Sequence, residues 1–408
     1  MPHGIEALNV YAGLARIAVP ELFAGRGLEP RRLENLMMSQ RSVGLPFEDP
    51  VTNAVNAAKP IVDALDPADR ASIETLVTST ESGLDLSKSV ASYVHEYLGL
   101  SRNCRVLEVK QACYAATGAV QLALGYLASG AAPGARALVI ATDVALVDQR
   151  AGYAEPATGH GAAAVLLGDA PTVLAVDLGA YGCYSYETLD SARPTPEFDI
   201  ADVDRSLFAY LDCLANSVSD YASRVDGADF ATTFDQLALH TPFAGLVRSA
   251  HRRMMRGYGL PAERIDEDFQ RRVSASLEYP AQVGNLCSGS VYLALASILD
   301  HAQIDDAARV GLYSYGSGCS AEFFSGVVDA GSVAAVGAMG IGERLARRRE
   351  LSFAEYAALL PQTLRTLVPE PDRVVDLDPY ADFLGVAGGD PMLVYTRTKD
   401  YHRMYEWR

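Results

Sequence analysis

The stretch EVKQACYAATGAV, residues 108–120, places one cysteine, Cys113, where a strand-like run gives way to small, helix-forming residues. A thiol at a helix N-terminus feels the positive end of the aligned backbone dipoles, which lowers its pKa and raises the thiolate fraction. That is a nucleophile's position. The competing reading is a small buried hydrophobe, the commoner fate of a free cysteine. The other five cysteines (Cys104, Cys183, Cys213, Cys287, Cys319) are scattered without a CxxC pair, and the seven histidines form neither HxH nor HExxH. The sequence therefore gives no metal site, and the cysteines read as reduced thiols.

A second chemical feature is cationic. In AGLVRSAHRRMMRGYG, Arg248, Arg252 and Arg256 fall at i, i+4 and i+8 and share one helical stripe, with His251 and Arg253 beside it. The whole chain carries a formal net charge of −17, a field that repels phosphates and excludes a general nucleic-acid binder. A basic run is ordinarily a solvated face. Against this background it reads as a dock for a phosphate or an acidic protein, since arginine's planar fork suits phosphate.

These residues need elements to position them. With 408 residues, 49% hydrophobic, the chain can bury a large core. Apolar runs at 71–80, 135–143, 162–168, 172–179, 234–240, 308–315 and 392–398 predict strands, and 86–98 predicts a helix. Several of these strands lack polar alternation, which implies burial on both faces and favours a largely parallel sheet covered by helices. The longest apolar runs fall far short of the roughly 20 residues of a membrane span. MPHGIEALNVYAGLAR lacks the basic start and apolar core of a secretory signal, so the expected location is the cytoplasm.

An internal echo sharpens the architecture. EVKQACYAATGAVQLALGYLASG before ARALVIATDV resembles EYPAQVGNLCSGSVYLALASILDHA before ARVGLYSYGSG. Each copy is a small-residue turn, an almost wholly apolar helix, a short loop and a buried strand. Helices apolar all round belong between layers. Two similar halves packed back to back follow, residues 1–168 and 169–408.

The segment EVKQACYAATGAVQLA is similar to the nucleophile region of 3-hydroxy-3-methylglutaryl-CoA synthases. The resemblance continues through TESGLD (80–85), HTPF (240–243), VGNLCSGSVYLAL (283–295) and YSYGSGCSAEFF (313–324), more weakly through RPTPEF (193–198) and the final MLVYTRTKDYHRMYEW. It implies an α/β, thiolase-type fold, layered αβαβα, built from two related halves, usually as a homodimer. The implied reaction loads an acetyl group from a thioester on the cysteine, deprotonates its methyl, adds the enolate to the ketone of a β-ketoacyl thioester, and releases the product with water. No bound cofactor is implied, and the substrates ride on phosphopantetheine.

Carried over residue by residue, Cys113 is the nucleophile, Glu81 the general acid/base and His240 the acceptor-side histidine. Removing a thioester's α-proton needs a placed base and a polarised carbonyl oxygen. Glu81 follows a buried-looking strand amid Ser79, Thr80, Ser82 and Gly83, where partial desolvation would raise its pKa; otherwise it is a helix-starting carboxylate. Asn285 would be a second hydrogen-bonding group, or else a turn or cap residue. Gly316 and Ser317, in the GSG loop at 316–318, let backbone amides approach a ligand. The Ser317 and Cys113 amides together could hold the thioester oxyanion, unless the loop is an ordinary turn.

Two departures matter. Where the CoA enzymes carry lysines after the histidine motif, this chain has the arginine stripe, and HTPFAGLVRSAHRRMMR looks like the subgroup acting on acyl carrier proteins in polyketide β-branching. Arg248, His251, Arg252 and Arg256 are then the expected carrier or phosphopantetheine contacts, with donor and acceptor carrier proteins as partners. Between ATD (141–143) and AEPATGHG (154–161) the spacing is one residue longer than in the CoA enzymes, with Ala157 and His160 replacing threonine and alanine. The competing readings are the primary-metabolism CoA enzyme, a Claisen-type ketosynthase, against which Glu81 speaks, and a non-catalytic carrier-docking protein.

Overall fold

The computed structural model describes residues 2–144, 154–196 and 198–408. Nine strands form the main sheet: β1 (Gly4–Tyr11), β2 (Ile73–Ser79), β3 (Arg105–Val109), β4 (Arg136–Asp143), β5 (Gly161–Gly168), β6 (Leu174–Ser185), β7 (Gln236–Leu239), β8 (Ala308–Gly316) and β9 (Ser320–Val328). Their order is β7-β8-β9-β6-β1-β5-β4-β2-β3. The helices that cover them are α1 (Pro50–Ala64), α2 (Val90–Tyr97), α3 (Ala115–Ala128), α4 (Val203–Arg224), α5 (Ala244–Gly257), α6 (Ala262–Arg272) and α7 (Ser290–His301). A strand lies in each expected apolar run, the last at Leu393–Lys399 in a separate three-stranded sheet. The helix expected over 86–98 begins at Val90.

The expectation of a largely parallel sheet is corrected. In this sheet, among the described residues, only β2–β3, β2–β4 and β7–β8 pair in parallel; every other neighbouring pair is antiparallel. The physical reason is direct return: β8 turns into β9 through Ser317–Cys319, with no crossover helix. What removes polar alternation from these strands is helix cover on both faces, which an antiparallel sheet receives equally well.

Alternate side chains show that cover. Val77, Val139 and Val165 face one core with α3 and α7, while Leu76, Leu138 and Leu166 face another with α1 and α2. Across the molecule Val310 and Leu312 join the first core, and Leu237, Leu239 and Tyr313 join a third built on α4, α5 and α6. The two-residue period of a strand thus produces five layers, helix, sheet, helix, sheet, helix, with the two echoing helices in the middle. α7 is buried from Ser290 through Leu299. α3 is less enclosed, leaving Leu122 75% exposed.

The parts of the sheet meet at a narrow seam. β1 and β6 share two residue pairs, Gly4–Ala175 and Ile5–Leu174. Gly4 permits that contact, because a Cβ there would stand 2.0 Å from the Leu174 carbonyl oxygen. α1 is started by Asp49, whose carboxylate accepts from the Val51 and Thr52 amides while Thr52 answers the Asp49 amide. Such a reciprocal cap is worth about 1 kcal/mol.

Candidate active site

β2 and β4 run parallel, with Ser79 opposite Ala141, so the residues leaving their C-terminal ends meet. Glu81 lies just past β2 and Asp143 ends β4. The Asp143 Oδ1 accepts from the Thr80 hydroxyl at 3.1 Å, the Glu81 amide at 2.8 Å and the Ser82 hydroxyl at 3.0 Å. This fixes the turn that carries Glu81. Arg193 closes it from the far side, donating 3.1 Å bonds to the Glu81 carbonyl and the Ser82 hydroxyl while paired with Asp199. Burial, and then the charge of Glu81, push Asp143 up to about 8.

Cys113 comes from the adjacent loop. Ala112 holds φ +44°, and α3 begins only at Ala115, with Tyr114 as its N-cap. The Cys113 thiol donates to Glu81 Oε1 at 3.0 Å. Its reactive atom is therefore governed by a carboxylate rather than by a helix dipole, and the expected depression of its pKa is corrected. A hydrogen bond from Cys287 pulls the thiol down, but burial and the neighbouring Glu81 charge outweigh it and push Cys113 up to about 12. At rest Cys113 is a neutral thiol already bonded to a carboxylate able to accept its proton.

Cys287 enters from the turn before α7, in the left-handed region at φ +49°. Its own pKa is raised well above the ordinary thiol value by the hydrogen bond with Cys113 and by burial. Two residues earlier, Asn285 bridges to Thr158. Its Oδ1 accepts from the Cys287 amide at 3.0 Å and the Ser290 hydroxyl at 2.7 Å, so the cap reading describes that oxygen. The side-chain N–H groups are the part that could meet a ligand.

The GSG loop packs directly on the turn that carries Cys113. A Cβ at Gly316 would lie 2.4 Å from the Gln111 carbonyl oxygen and 2.5 Å from the Tyr114 amide, so only glycine lets β8 approach this closely. Gln111 donates to the Ser317 carbonyl at 3.4 Å, and the Gly318 amide to Asp190 at 2.9 Å. Ser317 is thereby held against the turn that carries Cys113.

His240 follows β7, its amide donating to the Tyr313 carbonyl at 2.7 Å and its carbonyl accepting from the Tyr210 hydroxyl at 2.8 Å. The ring lies against the Tyr210 and Tyr315 rings and is 2% exposed. Burial lowers its pKa to about 3. At neutral pH it is an uncharged imidazole, able to donate one hydrogen bond.

α5 separates the cationic residues. Arg252, Arg253 and Arg256 are exposed, while Arg248 lies 3.5 Å from Asp266 and over the Phe269 ring. His251 corrects the expected set of carrier contacts: it is fully buried, bonded at 2.8 Å to Asp268, which also holds Arg272. It braces α5 against α6 and cannot reach a ligand on the outer face.

His160 is likewise internal, 3.7 Å from Glu48, and among the described residues neither ring nitrogen has a hydrogen-bond partner. The lengthened loop at 145–153 and Glu197 of RPTPEF lie outside the described residues. Three residues that sequence reading missed belong here: Asp143, Arg193 and Cys287. A signal existed for Asp143, which ends an apolar strand as Glu81 follows one. Cys287 shared one as well, since it and Cys113 precede the two echoing helices.

Comparison with known proteins places this geometry in context. The families described as hydroxymethylglutaryl-coenzyme A synthase N terminal and C terminal match residues 60–171 and 262–368. The polyketide biosynthesis 3-hydroxy-3-methylglutaryl-ACP synthase PksG of Bacillus subtilis (strain 168) is 43% identical, over 99% of each chain. A hydroxymethylglutaryl-CoA synthase of Enterococcus faecalis is 33% identical over 90% of this chain and 93% of its own. Among solved structures, the curacin biosynthetic pathway HMG synthase in complex with acetyl donor-ACP superposes with a TM-score of 0.97 at 44% identity, covering all of both chains.

Proposed function

The chain belongs to the hydroxymethylglutaryl-coenzyme A synthase family, and on that premise we propose that it is the 3-hydroxy-3-methylglutaryl-ACP synthase of a polyketide β-branching system. It is an acyltransferase that forms a carbon–carbon bond. In the proposed cycle, a donor carrier protein delivers acetyl thioester, Cys113 attacks its carbonyl, and the phosphopantetheine thiol leaves. A base takes a proton from the acetyl methyl, and the enolate carbon bonds to the β-ketone of an acceptor carrier-protein thioester. Water then cleaves the Cys113 thioester, freeing the thiol and leaving the branched 3-hydroxy acid on the acceptor carrier.

We assign the base to Glu81, which already holds the thiol at 3.0 Å and so faces whatever acyl group replaces that proton. The amides of Cys113 and Ser317 are assigned to the thioester oxygen, where each donor is worth about 3 kcal/mol in the transition state. Neutral His240 donates to the acceptor ketone as it gains charge, with an Asn285 N–H beside it. Arg252, Arg253 and Arg256 are assigned to the carrier, on the face of the helix that follows HTPF. Arg248 serves less, being engaged by Asp266.

The observation that carries this reading is the Cys113–Glu81 pair, backed by whole-length similarity to a carrier-protein synthase. We further assign residues 1–168 to the half bearing Glu81 and Cys113 and 169–408 to the half bearing His240, Asn285 and the GSG loop. The two-pair seam between β1 and β6 supports that division. The working unit is assigned as a homodimer, for which the outermost strand β3 offers an open edge. Its six free cysteines are in keeping with a reducing cytoplasm. The experiment is a comparison of turnover on acetoacetyl carrier protein and on acetoacetyl-CoA. Strong preference for the carrier supports the reading, and preference for free CoA turns it into the primary-metabolism enzyme.

A further inference from the structure

We propose that Cys113, Cys287 and Glu81 together form a binding site for one soft divalent cation, zinc or cadmium, and that its occupation closes the nucleophile. The two sulfurs and a Glu81 carboxylate oxygen all lie within 4.8 Å of one another, with Cys113 Sγ 3.0 Å from Oε1. A tetrahedral zinc ion, with bonds of about 2.3 Å to sulfur and 2.0–2.2 Å to oxygen, requires ligand atoms roughly 3.5–3.8 Å apart. The three atoms thus nearly occupy one face of that tetrahedron before any ion arrives. The fourth corner is left for water.

The ligand set is chemically selective. Two thiolates and a carboxylate suit a borderline-soft ion and offer little to magnesium or calcium, which take oxygen ligands. A second carboxyl group lies beside the site. Asp143 stands behind Glu81, and among the described residues its buried Oδ2 has no hydrogen-bond partner. The guanidinium beside them, Arg193, is already paired with Asp199. Binding displaces both thiol protons, so each ion taken up releases two protons and leaves the protein's redox state unchanged. Nothing in the sequence spacing points to the site, because its ligands are 32 and 174 residues apart and meet only through the layered fold.

Cation and acyl group compete for the same sulfur. A metal-bound Cys113 has its lone pair committed and cannot attack a thioester, while an acetylated Cys113 has no thiolate to give. The ion is therefore an inhibitor that donor thioester displaces. This inference stands on the three side chains, whichever carrier the enzyme prefers.

The test is a cadmium titration of the reduced, full-length protein, followed by sulfur-to-cadmium charge-transfer absorption, with zinc measured by competition. One ion per chain with the absorption of two thiolates is expected. Cys287→Ser should weaken binding at least about tenfold, and Cys183→Ser, at an exposed thiol, should leave it unchanged. Unmutated protein first acetylated on Cys113 should lose the site, which removes dependence on variant folding. Unchanged affinity in Cys287→Ser, the absorption of a single thiolate, or full-strength binding to the acetylated protein would each overturn the proposal.

Discussion

The Cys113 thiol donates to Glu81 Oε1 across 3.0 Å, so the proposed nucleophile and its proposed base are one hydrogen-bonded unit before any substrate binds. The carboxylate's charge helps hold the sulfur protonated, with the thiol pushed up to about 12. Glu81→Gln removes that charge and keeps the shape. Its Cys113 should therefore ionise at lower pH and react faster with iodoacetamide at pH 8, while carbon–carbon bond formation falls by about a thousandfold for want of a base. Alkylation that slows in the variant would contradict this electrostatic reading.

His240 should matter only after acylation. As a buried imidazole whose pKa is lowered to about 3, it stays neutral throughout the working pH range. His240→Ala should acetylate on Cys113 at close to the native rate yet condense about 10²–10³-fold more slowly, the usual loss for one oxyanion donor. Rapid quench of the acetyl-enzyme, compared with product formation, separates the steps. Equal losses in both would place His240 elsewhere in the cycle.

Gly316→Ala inserts a methyl against the Gln111 carbonyl and Tyr114 amide, pushing β8 away from the nucleophile's turn. Acetylation should slow at least about tenfold through misplaced amides, with a stability loss of about 1–3 kcal/mol. A variant acylating at the native rate would show that the GSG loop is a turn and nothing more.

The exposed arginines should read the carrier. Arg252→Glu combined with Arg256→Glu should raise KM for carrier-bound substrate by about tenfold or more and flatten its salt dependence. Turnover of a short thioester lacking phosphate and carrier should hardly change. Equal losses on both substrates would remove these residues from docking.

Acid stability offers an independent check on the interior. The folded value of His160, about 3, lies below the ordinary 6.5, so the native state refuses a proton that the unfolded chain accepts. Stability is complete above pH 6.5 and falls toward pH 3 by about 1.4 kcal/mol per unit. Glu48 runs oppositely: raised to about 7, its contribution is complete below about 4.5 and is lost as pH rises through 7. His160→Leu should reduce the slope of unfolding free energy between pH 6.5 and 5 by about 1.4 kcal/mol per unit. An unchanged slope in urea titrations would contradict the assignment.

Much of the site was legible because its residues sit where apolar runs end. Glu81 and His240 lie just past such an end and Cys113 precedes an echoing helix; Asp143 and Cys287 carry the same two signals, which went unread. The inward turn of His251 was not read, although it lies four residues from both Val247 and Met255, apolar positions that prove buried, while Arg252 and Arg256 share the opposite face. The Cys113–Cys287 contact and the high pKa of Cys113 were not legible. Both depend on the distance between side chains brought together by different elements, and a helix dipole estimated from the sequence cannot weigh a carboxylate that arrives from residue 81. Strand direction was misjudged because continuous apolar character reports double-sided burial, which either direction of pairing satisfies.

In the proposed cycle Cys113 carries the acyl group. Incubation with acetyl carrier protein, followed by intact-protein mass spectrometry and peptide mapping, should show one acetyl on Cys113. That acetyl should vanish when an acceptor β-ketoacyl carrier is added and the branched product forms. A Cys113→Ala protein that still makes the branched product at the native rate, or an acetyl mapped to another residue, would contradict it.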